Sequence, residues 1–159
     1  MRTAVGSTWL YGLIIIFTLI FTGFLVLTLT YSKAYKLKNE MLSIIEKYEG
    51  ITTTSSKGDG SIPIINQYLK NSGYIGKGKC KTNEYAPSSL DDDTLSRANG
   101  FDTYPYCVSY YTNSNNNMTT FSVKVFFNIN IPVLRQLNKY EVTGSTYDIA
   151  KAICFDRSC

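Results

Sequence analysis

Between Trp9 and Tyr31 the chain carries no charged residue, and an α-helix over that stretch is roughly 35 Å long at about 1.5 Å of rise per residue. That is enough to cross the hydrocarbon core of a bilayer. Trp9, Tyr11 and Tyr31 stand near its ends, where amphipathic rings favour the headgroup region, and Lys33, Lys36 and Lys38 follow at once. The competing reading is a cleaved secretory signal, for which Ser32-Lys33-Ala34 offers a small-x-small site. Such signals have an apolar core of about 7–15 residues, and this run is longer. The residues after Tyr31 are also too few to wrap so uniformly apolar a rod as the core helix of a soluble protein.

Beyond the span the apolar residues become periodic. Ala34, Leu37, Met41, Leu42, Ile44, Ile45 and Tyr48 fall largely on one side of a helix. Lys36 and Glu40 are spaced as i,i+4 partners, Glu46 has lysines at similar spacing, and Gly50 is a natural stop. One helix of about 40 residues is expected, its first half facing lipid and its second half presenting a stripe that needs a cover. Four segments result: 1–8, a short cytoplasmic leader; 9–31, the transmembrane helix; 32–50, its projecting continuation; and 51–159, a single small extracytoplasmic α+β domain.

The 16 basic and 12 acidic residues, net charge +4, are spread without any run of five like charges. This does not indicate a nucleic-acid footprint; the excess reads as solvation plus the membrane-proximal lysines. Four cysteines, Cys80, Cys107, Cys154 and Cys159, all lie beyond the span. An even number in a small domain with a thin core suggests two disulfides. Of the three possible pairings, Cys80–Cys107 with Cys154–Cys159 is favoured, because the second closes the short "CFDRSC" loop. Zinc is the rival, but the chain has no histidine and no Cys-x-x-Cys. The lysines after the span favour a cytoplasmic domain by the positive-inside rule, whereas the cysteines favour an outside one. A whole domain translocates largely regardless of charge, so the cysteines are given more weight.

After the polar loop "ITTTSSKGDGS", "IPIINQYLKNSGY" predicts a short helix with Ser61 as N-cap, an apolar face of Ile62, Ile65, Tyr68 and Leu69, and Gly73 as its stop. Asp91, Asp92 and Asp93 lack the D-x-D-x-D-G spacing of a calcium loop and read as a solvated loop or a helix start. "TYPYCVSYY" and then Phe121, Val123, Val125, Phe127, Ile129 and Ile131, alternating with Ser122, Lys124, Phe126, Asn128 and Asn130, predict paired strands. Phe126 interrupts the polar side and calls for an aromatic partner. "KYEVTGSTYDIAKAICF" reads as a strand to Thr143, a bend at Gly144 and a final strand or helical turn. The expected class is α+β: a long N-terminal transmembrane helix extending into a domain with a three- to four-stranded antiparallel sheet whose apolar face meets the helix stripe.

With no histidine, no G-x-S-x-G, no P-loop and no metal-ligand spacing, the chain is not expected to be an enzyme or to carry a cofactor. Glu141 and Asp148 are read as surface acids. One functional reading is a membrane-anchored extracellular binding domain that offers Tyr104, Tyr106, Tyr110 and Tyr111 to a glycan or protein. The other is assembly within the membrane. Lipid is as apolar as leucine, so helix association there depends on close packing and polar contacts, for which Thr18, Thr22 and Gly23, with Gly12, are the candidates.

A membrane helix that runs on beneath a small antiparallel sheet resembles the pilin and pseudopilin design. The segment "FSVKVFFNINIPVLRQLNKYEVTGST" resembles the sheet segment of the TadE-like or Flp-type pseudopilins of tight-adherence and type II secretion-like machines. The resemblance implies a subunit in the cytoplasmic membrane, amino terminus inside and domain outside. Its partners would be other pilin-like subunits or a membrane platform protein, in a filament or secretion apparatus driven by a cytoplasmic ATPase. It also makes Gly6, ending a short leader with Arg2, a possible leader-processing site. Tyr11 stands where many pilins carry a glutamate, which points to a minor or uncleaved component.

Overall fold

The computed structural model describes residues 2–52, 60–113, 115, 117–127 and 140–150, with side chains from Trp9 onward within the first helix. That helix, α1, runs Arg2–Lys47 without a break, 46 residues or about 69 Å. Its polar atoms are satisfied internally. Thr18, Thr22, Thr28 and Thr30 each donate a hydroxyl hydrogen bond to the carbonyl four residues back, at 3.1, 2.8, 2.7 and 2.8 Å. From Ala34 the helix is buried along one stripe comprising Ala34, Lys38, Met41, Leu42 and Ile45, with Leu37, Ile44 and Tyr48 half-buried. Burying each large apolar side chain there contributes about 1.5–3 kcal/mol.

The helix ends in a pair of reverse bonds, Gly50 N–H to the Ile45 carbonyl (2.8 Å) and Glu49 N–H to that of Glu46 (3.1 Å). The left-handed residue that closes this motif is Glu49 (φ 53°), with Gly50 following at φ 131°. The expected Lys36–Glu40 pair is not among the ion pairs of the described residues. Glu46 instead accepts the backbone N–H of Tyr147 (3.2 Å), pinning the end of the sheet to α1.

The second helix, α2, spans Ser61–Asn71 and buries Ile62, Ile65 and Leu69, with Tyr68 half-buried. Its N-cap is Gly60 and not Ser61. Ser61 exchanges bonds with Thr52: the Thr52 N–H reaches Ser61 Oγ at 2.8 Å and the Ser61 N–H reaches Thr52 Oγ1 at 2.9 Å. With the Ile62 N–H on the Thr52 carbonyl (3.1 Å), the first free N–H groups of α2 are capped from across the loop. Gly73 ends α2 at φ 68°, as expected.

Among the described residues seven strands follow: β1 Gly78–Lys79, β2 Tyr85–Ala86, β3 Ser96–Arg97, β4 Thr103–Tyr104, β5 Tyr106–Asn113, β6 Met118–Phe127 and β7 Tyr140–Ser145. They form a five-stranded antiparallel sheet, β3-β2-β5-β6-β7, and a separate β1-β4 ribbon. The sheet is thus larger than the expected three to four strands. The additional members β2 and β3 are two residues each, too short to leave a periodic pattern. β7 does not bend at Gly144. It continues to Ser145 with Gly144 paired to Val123, and a bridge from Thr119 to Ile149 extends the edge. The glycine is needed for another reason: a Cβ there would lie 2.9 Å from Leu42 Cδ1 and 2.7 Å from Lys38 Cδ, so its absence lets α1 lie against the strand.

The sheet is covered on both faces. On one, Tyr106, Val108, Phe121, Val123 and Val125 pack against Met41, Leu42, Ile45, Ile62, Ile65 and Leu69 of the two helices. On the other, Phe126, the residue that interrupts the polar alternation, is buried with Cys80, Ala86, Ala98, Tyr104 and Cys107. Its ring lies so close to Gly78 that a Cβ there would sit 2.1 Å from it. The segment from Gly76 to Tyr104 is therefore a second layer over the sheet, although most of its residues up to Gly100 are polar. Nearer the span, Phe127 packs with Tyr140, Val142 and Ala34, and its ring meets Tyr31 edge-on at 6.4 Å.

Candidate functional site

Two regions gather polar chemistry. The first is the outer layer. Cys80 and Cys107 form a disulfide with Cα atoms 5.6 Å apart, which ties that layer to central strand β5. Beside it Lys124 Nζ lies 2.8 Å from Glu84 Oε1, with the two side chains only 10% and 9% exposed. Glu84 Oε2 also accepts the Lys81 N–H at 2.7 Å. Cys80, Glu84 and Cys107 are close enough in space to resemble a ligand set. The sulfurs are bonded to each other and the carboxylate is engaged by Lys124, so the cluster serves as a clamp. The expected second bridge, Cys154–Cys159, lies outside the described residues, as do Ile129 and Ile131.

The aspartate run is divided among three tasks, in a turn and not a helix start. Asp91 pairs with Lys70 at 2.7 Å on the surface, an arrangement of small energetic value. Asp92 accepts from Ser88 and from Thr94, and these hydrogen bonds, Ser88 first, hold its carboxyl down at about 2. Asp93 accepts from Asn66 Nδ2 (3.0 Å), which also donates to the Asp92 carbonyl (2.9 Å). Asn66 Oδ1 in turn receives the buried Tyr106 hydroxyl at 3.0 Å. Burial, with the Asp93 and Asp92 charges adding, pushes that phenol well above its ordinary range, so it remains a donor. Neither Asn66 nor Lys124 stands out in sequence. Asn66 is a polar residue within the apolar run of α2, and Lys124 falls on the polar side of an alternating strand, where exposure is the ordinary expectation.

The four tyrosines proposed as a contact surface are not together. Tyr104 and Tyr106 are buried, on opposite faces of the sheet layer, whereas Tyr110 is partly and Tyr111 largely exposed. Glu141 is exposed on β7, and Asp148 accepts from Thr120 at 2.6 Å, so these acids do not form a pair.

The second region is a groove of about 350 Å³ where α1 leaves the uncharged run. Buried Ala34 and Phe127, with half-buried Leu37, form its floor, and Phe126 borders it where its backbone meets Tyr74. Exposed Lys33, Lys36 and Ile75 stand around it. Tyr74 shapes its inner wall: its hydroxyl receives the Phe126 N–H (2.9 Å) and shares its proton between the carbonyls of Phe126 and Pro105 (2.6 and 2.8 Å). Burial raises that phenol's pKa despite the backbone bond.

Within the uncharged run of α1, the hydroxyls of Thr18 and Thr22 are satisfied by their own helix, and a Cβ on Gly12 or Gly23 would meet nothing within 4 Å. Gly6 falls inside α1. Fold and site define an α+β domain on an N-terminal helix that is long and apolar enough to cross a membrane, none of its most apolar window being buried. Compared with protein-family models, curated proteins and solved structures, the chain matches none.

Proposed function

We propose that the chain is a single-pass membrane subunit of pilin-like or pseudopilin type, with its domain outside the cytoplasmic membrane, that takes part in assembling a surface filament or secretion apparatus. The observation that carries this reading is the continuity of α1. One helix is largely exposed over its apolar half, with Leu27 and Thr30 half-buried where it nears the domain, and is buried along one stripe against the sheet from Ala34 to Ile45. No hinge separates them, so a displacement of the span is transmitted to the domain as a rigid body. The Cys80–Cys107 disulfide supports the outside placement, since such bonds persist in oxidising compartments. A membrane-anchored binding domain is the second reading, favoured by the exposure of Tyr111 and Tyr110 at the far end of β5.

The two readings part at the span. Threonines satisfied within their own helix still present small surfaces, and Gly23 leaves open space beside the backbone, which suits close approach of another helix. Replacing Thr18, Thr22 and Gly23 together with leucine is expected to leave insertion and domain folding unchanged while lowering disulfide or photo-crosslinking between neighbouring spans about three- to tenfold, the scale of one or two close helix contacts. Crosslinking unchanged in the triple variant would reduce α1 to an anchor and favour the binding domain.

A further inference from the structure

We propose that the groove beside Lys33 and Lys36 is a binding site for one anionic phospholipid of the leaflet in which the span ends. The placement is the first ground. Thr30 lines the groove and Tyr31 closes the uncharged run, so with the span seated in the bilayer the opening falls at headgroup depth. The second ground is chemistry. The floor of Ala34, Leu37 and Phe127 is apolar and suits the upper part of an acyl chain, while the two lysines on the exposed side supply the charge a phosphate needs.

Acidic groups near the groove do not cancel this. None of the described residues lining the groove is acidic, and Glu40, one turn beyond Lys36 on α1, is not among them. Lys38 is directed elsewhere, lying over the Tyr35 ring at 4.1 Å. Ile75, 83% exposed, adds an apolar side chain beside the apolar floor of the groove. The occupant is thus taken from the bilayer and not from solution. A lipid there would fill the wedge between α1 and the end of β6 and fix the angle at which the domain stands on the membrane.

The inference rests on the anchored reading but not on assembly into a filament. The test is native mass spectrometry of the full-length protein released from detergent micelles supplied with phosphatidylglycerol and phosphatidylcholine in equal amounts. One phosphatidylglycerol is expected to be retained in preference. Lys33→Gln with Lys36→Gln is expected to lower that preference on the order of 10–30-fold, since each lysine near an anionic surface is worth a few-fold. Lys47→Gln with Lys81→Gln, which removes two exposed lysines away from the groove, is expected to leave it intact. Soluble glycerophosphate in excess is expected not to displace the lipid. Absence of a preference in the unaltered protein, an equal loss in the Lys47/Lys81 variant, or displacement by glycerophosphate would each overturn the proposal. A protein that stays monodisperse without detergent would instead overturn the anchored reading beneath it.

Discussion

Replacing Lys124 with methionine is expected to cost the folded domain about 3–5 kcal/mol, because it strands the Glu84 carboxylate in a site closed to water. Methionine fits the space of the lysine stem, so the loss is one of charge more than of packing. Glu84 keeps the Lys81 N–H but no cation, and the disulfide and Phe126 leave little room for water to replace one. The paired change Glu84→Gln with Lys124→Met removes both charges and is expected to recover most of the loss, since a buried ion pair is often worth little more than an apolar pair of the same shape. Urea denaturation of the full-length protein in micelles, followed by near-ultraviolet circular dichroism, measures both. A double variant as unstable as the single one would mean that the stranded charge is not the cause.

The second large effect is expected from the disulfide. Cys80→Ala with Cys107→Ala opens a loop with a sequence separation of 27, for which the loss of chain restriction alone amounts to about 3–4 kcal/mol. The bond fastens the whole outer layer to β5, and its loss should be uneven in space. Amide exchange is expected to accelerate from Gly78 to Tyr104, while β6 and β7, paired with each other and packed on α1, retain their protection. Melting and exchange measured on the same variant test this. A loss under about 1 kcal/mol with unchanged exchange would show that the layer is held by Phe126 and the Glu84–Lys124 pair alone.

What was legible in the sequence follows from what periodicity can report. The uncharged run and the apolar stripe after it gave α1, and alternation from Phe121 to Phe127 gave the helix-facing side of β6. Alternation says which residues share a face. It does not say whether anything lies over the other face, and here the layer from Gly76 to Tyr104 buries Lys124 and Phe126. That layer is held by long-range pairs and two-residue strands, which leave no local pattern. Gly144 is ambiguous in sequence for a related reason. A glycine in a strand marks either a bend or a close approach, and only the position of α1 distinguishes them. Ser61 carried an N-cap signal, but its hydroxyl is committed to Thr52, a partner nine residues earlier. The groove was not legible at all, because its floor comes from α1 and β6, which are far apart in the chain.

The central claim is that one helix carries a folded domain across the membrane and holds it outside. The most direct measurement is a pair of fusions after Cys159 of the full chain in a bacterial host, one to alkaline phosphatase and one to green fluorescent protein. The phosphatase folds actively only outside the cytoplasmic membrane, and the fluorescent protein, exported unfolded, matures only inside. The account predicts an active phosphatase fusion and a dark fluorescent one, both in the membrane fraction. An inactive phosphatase with a bright fluorescent fusion would contradict it, placing the domain in the cytoplasm, where the lysines following the span alone would have put it.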